Sequence, residues 1–158
     1  MLVRLSRPKG NPRMRHHLFC YGSLQFPEVI NAVVGRHFQG RRAALHGYAA
    51  FDVRRAEYPG IRPQPGRTTS GQVYSGLTPD ELAVLDRFEG RLYERRRLAV
   101  RMADGRRRGV WVYAIKPGRI RRLAPTRWDR RTFRQRRYHR FMQRFVHARR
   151  PVFAPRDR

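Results

Sequence analysis

The chain has 158 residues and a mass of 18.8 kDa, one domain's worth of protein and long enough to bury a core unaided. Lys and Arg total 37 against 11 Asp and Glu, a formal charge of +26, and all the cations except Lys9 and Lys116 are arginine; such a balance points to a polyanion partner. A single cysteine, Cys20, excludes an intrachain disulfide framework and a Cys-rich zinc site. No apolar run approaches the ~20 residues of a membrane span, and the basic start has no apolar signal core, so a soluble, cytoplasmic protein is expected.

The charge is unevenly placed. Residues 1–16 hold five cations and no acid, residues 17–115 sixteen cations and nine acids, and residues 116–158 sixteen cations and two acids. The chain therefore divides into a basic N-terminal extension (1–16), a central domain (17–115) carrying only +7, and an Arg-rich C-terminal segment (116–158). Class and function are best read from the middle.

In chain order, Leu18–Tyr21 is a short apolar run ended by Gly22-Ser23, a buried strand entering a turn. Val29, Ile30, Val33 and Val34 share one face of a short helix over 27–34, stopped by Gly35. Gly47–Val53 and Gly71–Tyr74 read as strands, with the Pro- and Gly-rich stretch 57–67 as a loop between them. Thr78-Pro79-Asp80-Glu81 is the clearest helix start: Thr78 as N-cap, Pro79 at N1 and Glu81 as the reciprocal acid of a capping box. Leu82, Leu85 and Phe88 form its apolar stripe and Gly90 ends it. Strands at Arg96–Met102 and Val110–Ile115 follow, joined by a turn at Ala103-Asp104-Gly105.

This βαββαββ order suits an α+β domain on a mixed, strongly curved or barrel-like sheet, since two helical crossovers are too few for a doubly wound fold. In the tail, Thr126–Asp129 offers a second capping box. Tyr138, Phe141, Met142, Phe145 and Val146 then form an amphipathic face that should dock on the domain, while Phe133 falls off it.

Three places could do chemistry. The turn at Tyr21, Gly22, Ser23 and Leu24 brings backbone N–H groups to a helix start, where they can hold an anion or oxyanion. Glu89 lies at a helix C-terminus beside Phe88 and Tyr93, where the dipole and apolar surface should raise its pKa into the range of a general acid/base; the plainer reading is a surface glutamate paired with Arg87 or Arg91. Asp86 and Glu94 are rival carboxylates in plainer surroundings. Tyr113, in the last strand, could present its hydroxyl to a ligand or simply pack. Cys20 reads as a buried, inert thiol, and His16-His17 lacks a matched set of metal ligands, so neither a metal nor a cofactor is expected.

Taken together, LFCYGSL at 18–24, EYPGIRP at 57–63, GQVYSGLTPDELAVLDRFEG at 71–90, LYERRRLAV at 92–100 and GVWVYAI at 109–115 resemble the AIG2-like gamma-glutamylcyclotransferase family, its bacterial members in particular. The resemblance covers 17–115 and continues more loosely to Trp128-Asp129 and Phe133. It implies a small mixed β-barrel flanked by helices, with a cavity at one end. It further implies that Tyr21, Gly22, Ser23 and Leu24 grip the substrate, with Tyr113 nearby, and that Glu89 is the catalytic acid/base. The implied reaction, of acyltransferase or lyase class, closes a gamma-glutamyl group onto its own amine, leaving 5-oxoproline and releasing an amine or amino acid. The alternative is a scaffold of the same fold that binds nucleic acid or another polyanion through its basic flanks. Oligomeric state and leaving amine are not legible in the residues.

Overall fold

Leu18, Phe19 and Cys20 are buried because β1 (His16–Cys20) has a neighbour on either side, β3 (Pro59–Leu77) antiparallel and β5 (Arg107–Ile115) parallel. The structure, a computed structural model, describes residues 14–147. β5 pairs with β4 (Tyr93–Met102), β4 with β2 (Arg41–Val53), and β2 returns to β3, all antiparallel. The ring β3–β1–β5–β4–β2–β3 is thus a closed five-stranded mixed barrel, with a sixth strand, β6 (Leu123–Arg127), added to β2. Closure pairs strand edges that would otherwise invite association.

Period-two alternation sorts the side chains. Phe19, Leu45, Ile61, Val73 and Val112 form one buried cluster drawn from the barrel strands. Leu18, Cys20, Tyr74 and Tyr113 face the other way, into a second cluster with the helices. There they meet α1 (Pro27–Val34), which ends on Gly35 at φ +89°, and α2 (Pro79–Glu89), where Thr78 Oγ1 accepts from the Glu81 amide at 3.2 Å. Glu81 does not act as the expected reciprocal cap; its carboxylate is engaged by the Arg36 guanidinium at 3.0 and 3.1 Å.

The stretch 57–67, expected as a loop, is mostly strand. Pro59, Ile61 and Pro63 lie opposite Asp52, Ala50 and Tyr48 of β2. Proline cannot donate to a ladder, but spacing by four residues puts both nitrogens on the side away from β2, and β1 reaches β3 only from residue 72 onward. Disorder of register is confined to residues 64–67, which stand opposite Gly47; Gly47 and Gly66 absorb it at φ +81° each. β2 likewise starts at Arg41 rather than Gly47, since Ala43 and Leu45 already alternate inward. β6 has no counterpart in the sequence reading.

The C-terminal helix corrects two expectations. Asp129, not Thr126, is its N-cap: Asp129 Oδ2 accepts from the Thr132 amide and hydroxyl at 2.7 Å each, and Thr126 belongs to β6. The helix opens in α geometry at Arg130–Thr132 (α3), widens to a π turn at Phe133–Arg137, returns to α at Tyr138–Phe141 (α4) and widens again at Met142–His147. A π turn stacks residue i over i+5. Phe133 therefore comes onto the face of Tyr138, where regular 3.6-residue spacing would have turned it away. It is only 1 % exposed, packed against Phe26, Trp128, Tyr138 and Phe141 at ring separations of 5.5–6.2 Å.

Candidate active site

Where β1 ends, the chain turns through Tyr21 and Gly22 into a 3₁₀ turn, Ser23–Gln25. Three hydrogen bonds lock it. Tyr21 Oη donates to the Tyr113 carbonyl at 2.7 Å, Gln25 Nε2 donates to the Tyr21 carbonyl at 2.6 Å, and Tyr74 Oη donates to the Gln25 carbonyl at 2.9 Å. Gly22 is demanded by space, not by a left-handed backbone: its φ is −109°, and a Cβ there would stand 2.7 Å from Pro59 Cγ. The opening left by the missing side chain is filled by the Pro59 ring. The first amides of the turn, as at any helix start, have no acceptor within the turn itself.

Across from the turn lies the end of α2. Gly90 stops the helix at φ +77°, and Glu89 lines a cavity with Tyr21, Gly22, Ser23, Leu24 and Tyr113. The structure thus brings all six residues singled out from the sequence to one cavity. Glu89 keeps some exposure as a residue, at the helix end, while its carboxyl lies deep among the walls of the cavity. Burial first, and the Asp86 charge second, push its pKa up to about 8. The expected pairing with Arg87 or Arg91 does not occur; among the described residues the Glu89 carboxyl makes neither an ion pair nor a hydrogen bond.

Asp86 is far from plain in its surroundings. Its Oδ1 accepts 2.8 Å from the Tyr113 hydroxyl, and Arg95 grips both of its oxygens at 2.6 and 3.2 Å. Glu94 lies near Arg96, 3.9 Å away, and lines no part of the cavity. The Tyr113 hydroxyl is thereby committed to the helix, and burial, then the bond to Asp86, raises its pKa. Burial and, after it, the Glu89 charge raise Cys20 and Tyr21 well above their ordinary values, so the Cys20 thiol is inert here.

Four wall residues escaped the sequence reading as site components: Phe19, Tyr58, Pro59 and Tyr93. Tyr93 Oη donates to the Pro59 carbonyl at 2.5 Å, and the Tyr58 and Tyr93 rings meet edge to face at 6.2 Å. The EYPG stretch carried a signal, a Tyr-Pro-Gly dense in turn residues, but reading it as a loop hid its place on the wall. The cavity is small, about 30 Å³, room for a water or two.

Among the described residues no group of three or more His, Cys, Asp or Glu could hold a metal ion, and no helix is long and apolar enough to cross a membrane. His17 Nδ1 lies 2.8 Å from Ser75 Oγ, and the Trp111 indole N–H donates to His16 Nδ1 at 3.4 Å. Of the basic flanks at 1–16 and 116–158, residues 1–13 and 148–158 lie outside the described residues.

A family model, "Gamma-glutamyl cyclotransferase, AIG2-like", matches residues 18–149. AIG2-like protein C of Arabidopsis thaliana is 38 % identical over 89 residues, which are 56 % of this chain and 52 % of that protein. AIG2-like protein A of the same plant is 41 % identical over 80 residues, 51 % of this chain and 48 % of that one. The chain thus spans about half the length of the curated relatives it matches. A solution structure from Arabidopsis thaliana superposes with a TM-score of 0.67 at 26 % identity, covering 85 % of this chain and 82 % of its own. A solved gamma-glutamyl cyclotransferase shares the fold, with a TM-score of 0.58 at 18 % identity over 65 % of this chain and 68 % of its own.

Proposed function

The chain belongs to the AIG2-like gamma-glutamyl cyclotransferase family, and from that premise we propose that it converts a gamma-glutamyl amine or peptide to 5-oxoproline with release of the amine. The observation that carries the reading is the desolvated Glu89 carboxyl, with its pKa pushed up to about 8, lining one cavity with the Tyr21–Leu24 turn.

Each part has a task in this chemistry. The substrate's α-amine attacks its own side-chain carbonyl carbon; the new C–N bond closes a five-membered lactam and the bond to the leaving nitrogen breaks. Both reactants sit in one molecule, so the protein chiefly has to hold a folded conformer. Glu89 takes a proton from the α-ammonium and returns it to the leaving nitrogen, a round trip that favours a pKa near neutrality. The amides of Gly22 and Ser23 bind either the developing oxyanion or the substrate's α-carboxylate. Tyr113 shapes the wall, and its hydroxyl stays with Asp86.

The cavity holds less than a gamma-glutamyl group, so this reading requires its wall to open. Tyr58, on the connection between β2 and β3, is the aromatic wall residue least buried, its ring packed against Tyr93 and Phe145. The test is release of 5-oxoproline by the purified chain across a panel of gamma-glutamyl amines and dipeptides. Turnover of at least one panel member, lost in Glu89→Gln, is the expected result; turnover undiminished in that variant overturns the assignment.

A further inference from the structure

Tyr21 lines a second depression besides the candidate active site. This one, of about 370 Å³, shares Gln25, Ser70 and Arg130 with a larger one of about 570 Å³, so the two form a continuous cleft. Arg127 stands at one end beside Trp128, Arg130 where the two depressions join, and Arg42 and Arg101 at the other end, where β2 and β4 pair at Ala43–Met102.

Four guanidinium groups, those of Arg42, Arg101, Arg127 and Arg130, are gathered along this one cleft. Arg36, Arg95 and Arg134 are each engaged by an acid, Glu81, Asp86 and Glu28 respectively. Among the described residues none of Arg42, Arg101, Arg127 and Arg130 has an ion pair; Arg130 only lies over the Phe26 ring, 4.8 Å from its centre. One acid lines the cleft, Asp129, and it is occupied by the Thr132 amide and hydroxyl, which hold its carboxyl below the usual carboxylate range. The Trp128 indole N–H is buried with no acceptor among the described residues. The cleft therefore offers positive charge along its length, with the neutral polar side chains of Gln25, Gln72, Thr68, Thr69 and Ser70 between. Its complement is a ligand rich in acceptors, anionic at two or more points, and compact enough for a depression of this size. Phosphoryl groups match on every count, and arginine forks bind their oxygens in pairs.

We propose that this cleft binds an oligophosphate, free or as the phosphate chain of a nucleotide, with Arg42 and Arg101 at one end, Arg130 in the middle and Arg127 at the other. The site is independent of the reaction proposed for Glu89, and its test reads binding alone.

The experiment is calorimetric titration of the full chain, at fixed physiological ionic strength, with inorganic tripolyphosphate, a nucleoside triphosphate and a single-stranded oligonucleotide. The diffuse charge of +26 is the competing explanation, so a matched control is essential. Arg119→Gln with Arg121→Gln removes two charges from an exposed turn that lines neither depression. One saturable site for tripolyphosphate is expected, weakened about tenfold or more by Arg42→Gln with Arg101→Gln, and changed less than about twofold by the control pair. Tighter binding of the nucleotide identifies a nucleotide as the source, and equal binding a free oligophosphate; both sustain the proposal. Absence of saturable binding, equal weakening by the control pair, or binding of the oligonucleotide alone overturns it. Arg127→Gln with Arg130→Gln is the companion variant, judged only if its thermal midpoint matches the wild type; Arg42 and Arg101 are exposed and carry the test by themselves.

Discussion

The Tyr113 hydroxyl donates to Asp86 Oδ1 at 2.8 Å, and Asp86 stands one helical turn before Glu89 on the same helix. A strand of the barrel thus fixes the like charge that, after burial, raises the pKa of Glu89. Asp86→Asn removes that charge, and the acid limb of kcat/KM for 5-oxoproline release is expected to move to lower pH. A pH profile of variant and wild type checks this. A limb that stays in place would mean that burial alone sets the ionisation of Glu89.

Glu89→Gln is expected to abolish 5-oxoproline release while leaving the chain at least as stable. The folded chain holds a proton on Glu89 up to about pH 8, whereas the ordinary carboxyl value is 4.5. Stability linked to the protonated form is complete below the lower value and is lost as pH rises through the upper one. Glutamine stays neutral throughout, so the variant should gain on the wild type between about pH 6 and about pH 9, by ~2 kcal/mol or more. Thermal midpoints measured at both pH values report the difference; a gap that does not widen with pH would contradict a desolvated Glu89.

Gly22→Ala should destabilise the chain by about 1–3 kcal/mol, because the new methyl must displace the Pro59 ring, itself tied to Tyr93 through its carbonyl. Urea denaturation provides the measurement. Gly118→Ala is the comparison: its Cβ would meet nothing within 4 Å, and its midpoint should scarcely move.

Phe133→Ala should cost about 3–5 kcal/mol in the same assay, the penalty of emptying a site among four aromatic rings. A loss under 1 kcal/mol would place Phe133 on the outer face, as uninterrupted α geometry predicts.

The barrel and both central helices were legible because their signals are local: β-branched runs, Thr78-Pro79 opening α2, and glycines closing each helix. Glu89 was legible as chemistry for the same reason, since a carboxylate at a helix end is a local anomaly. What escaped depends on partners distant in the chain. The prolines of 59–63 look like loop residues until β2 shows that their missing donors face away from it. Phe133 looks stray until the π turn it opens, Phe133–Arg137, resets the helical phase. Asp86 looks ordinary until Tyr113, 27 positions later, is seen to reach it.

The parallel pairing of β1 with β5 has a consequence for synthesis. Tyr21 takes its acceptor from a carbonyl 92 residues further on. A chain emerging from the ribosome can close the β2–β3 hairpin early, but the pocket rim stays incomplete until β5 has been made. The binding capacity proposed for the Tyr21–Leu24 turn should therefore arise late and in one step, only once β5 has joined β1.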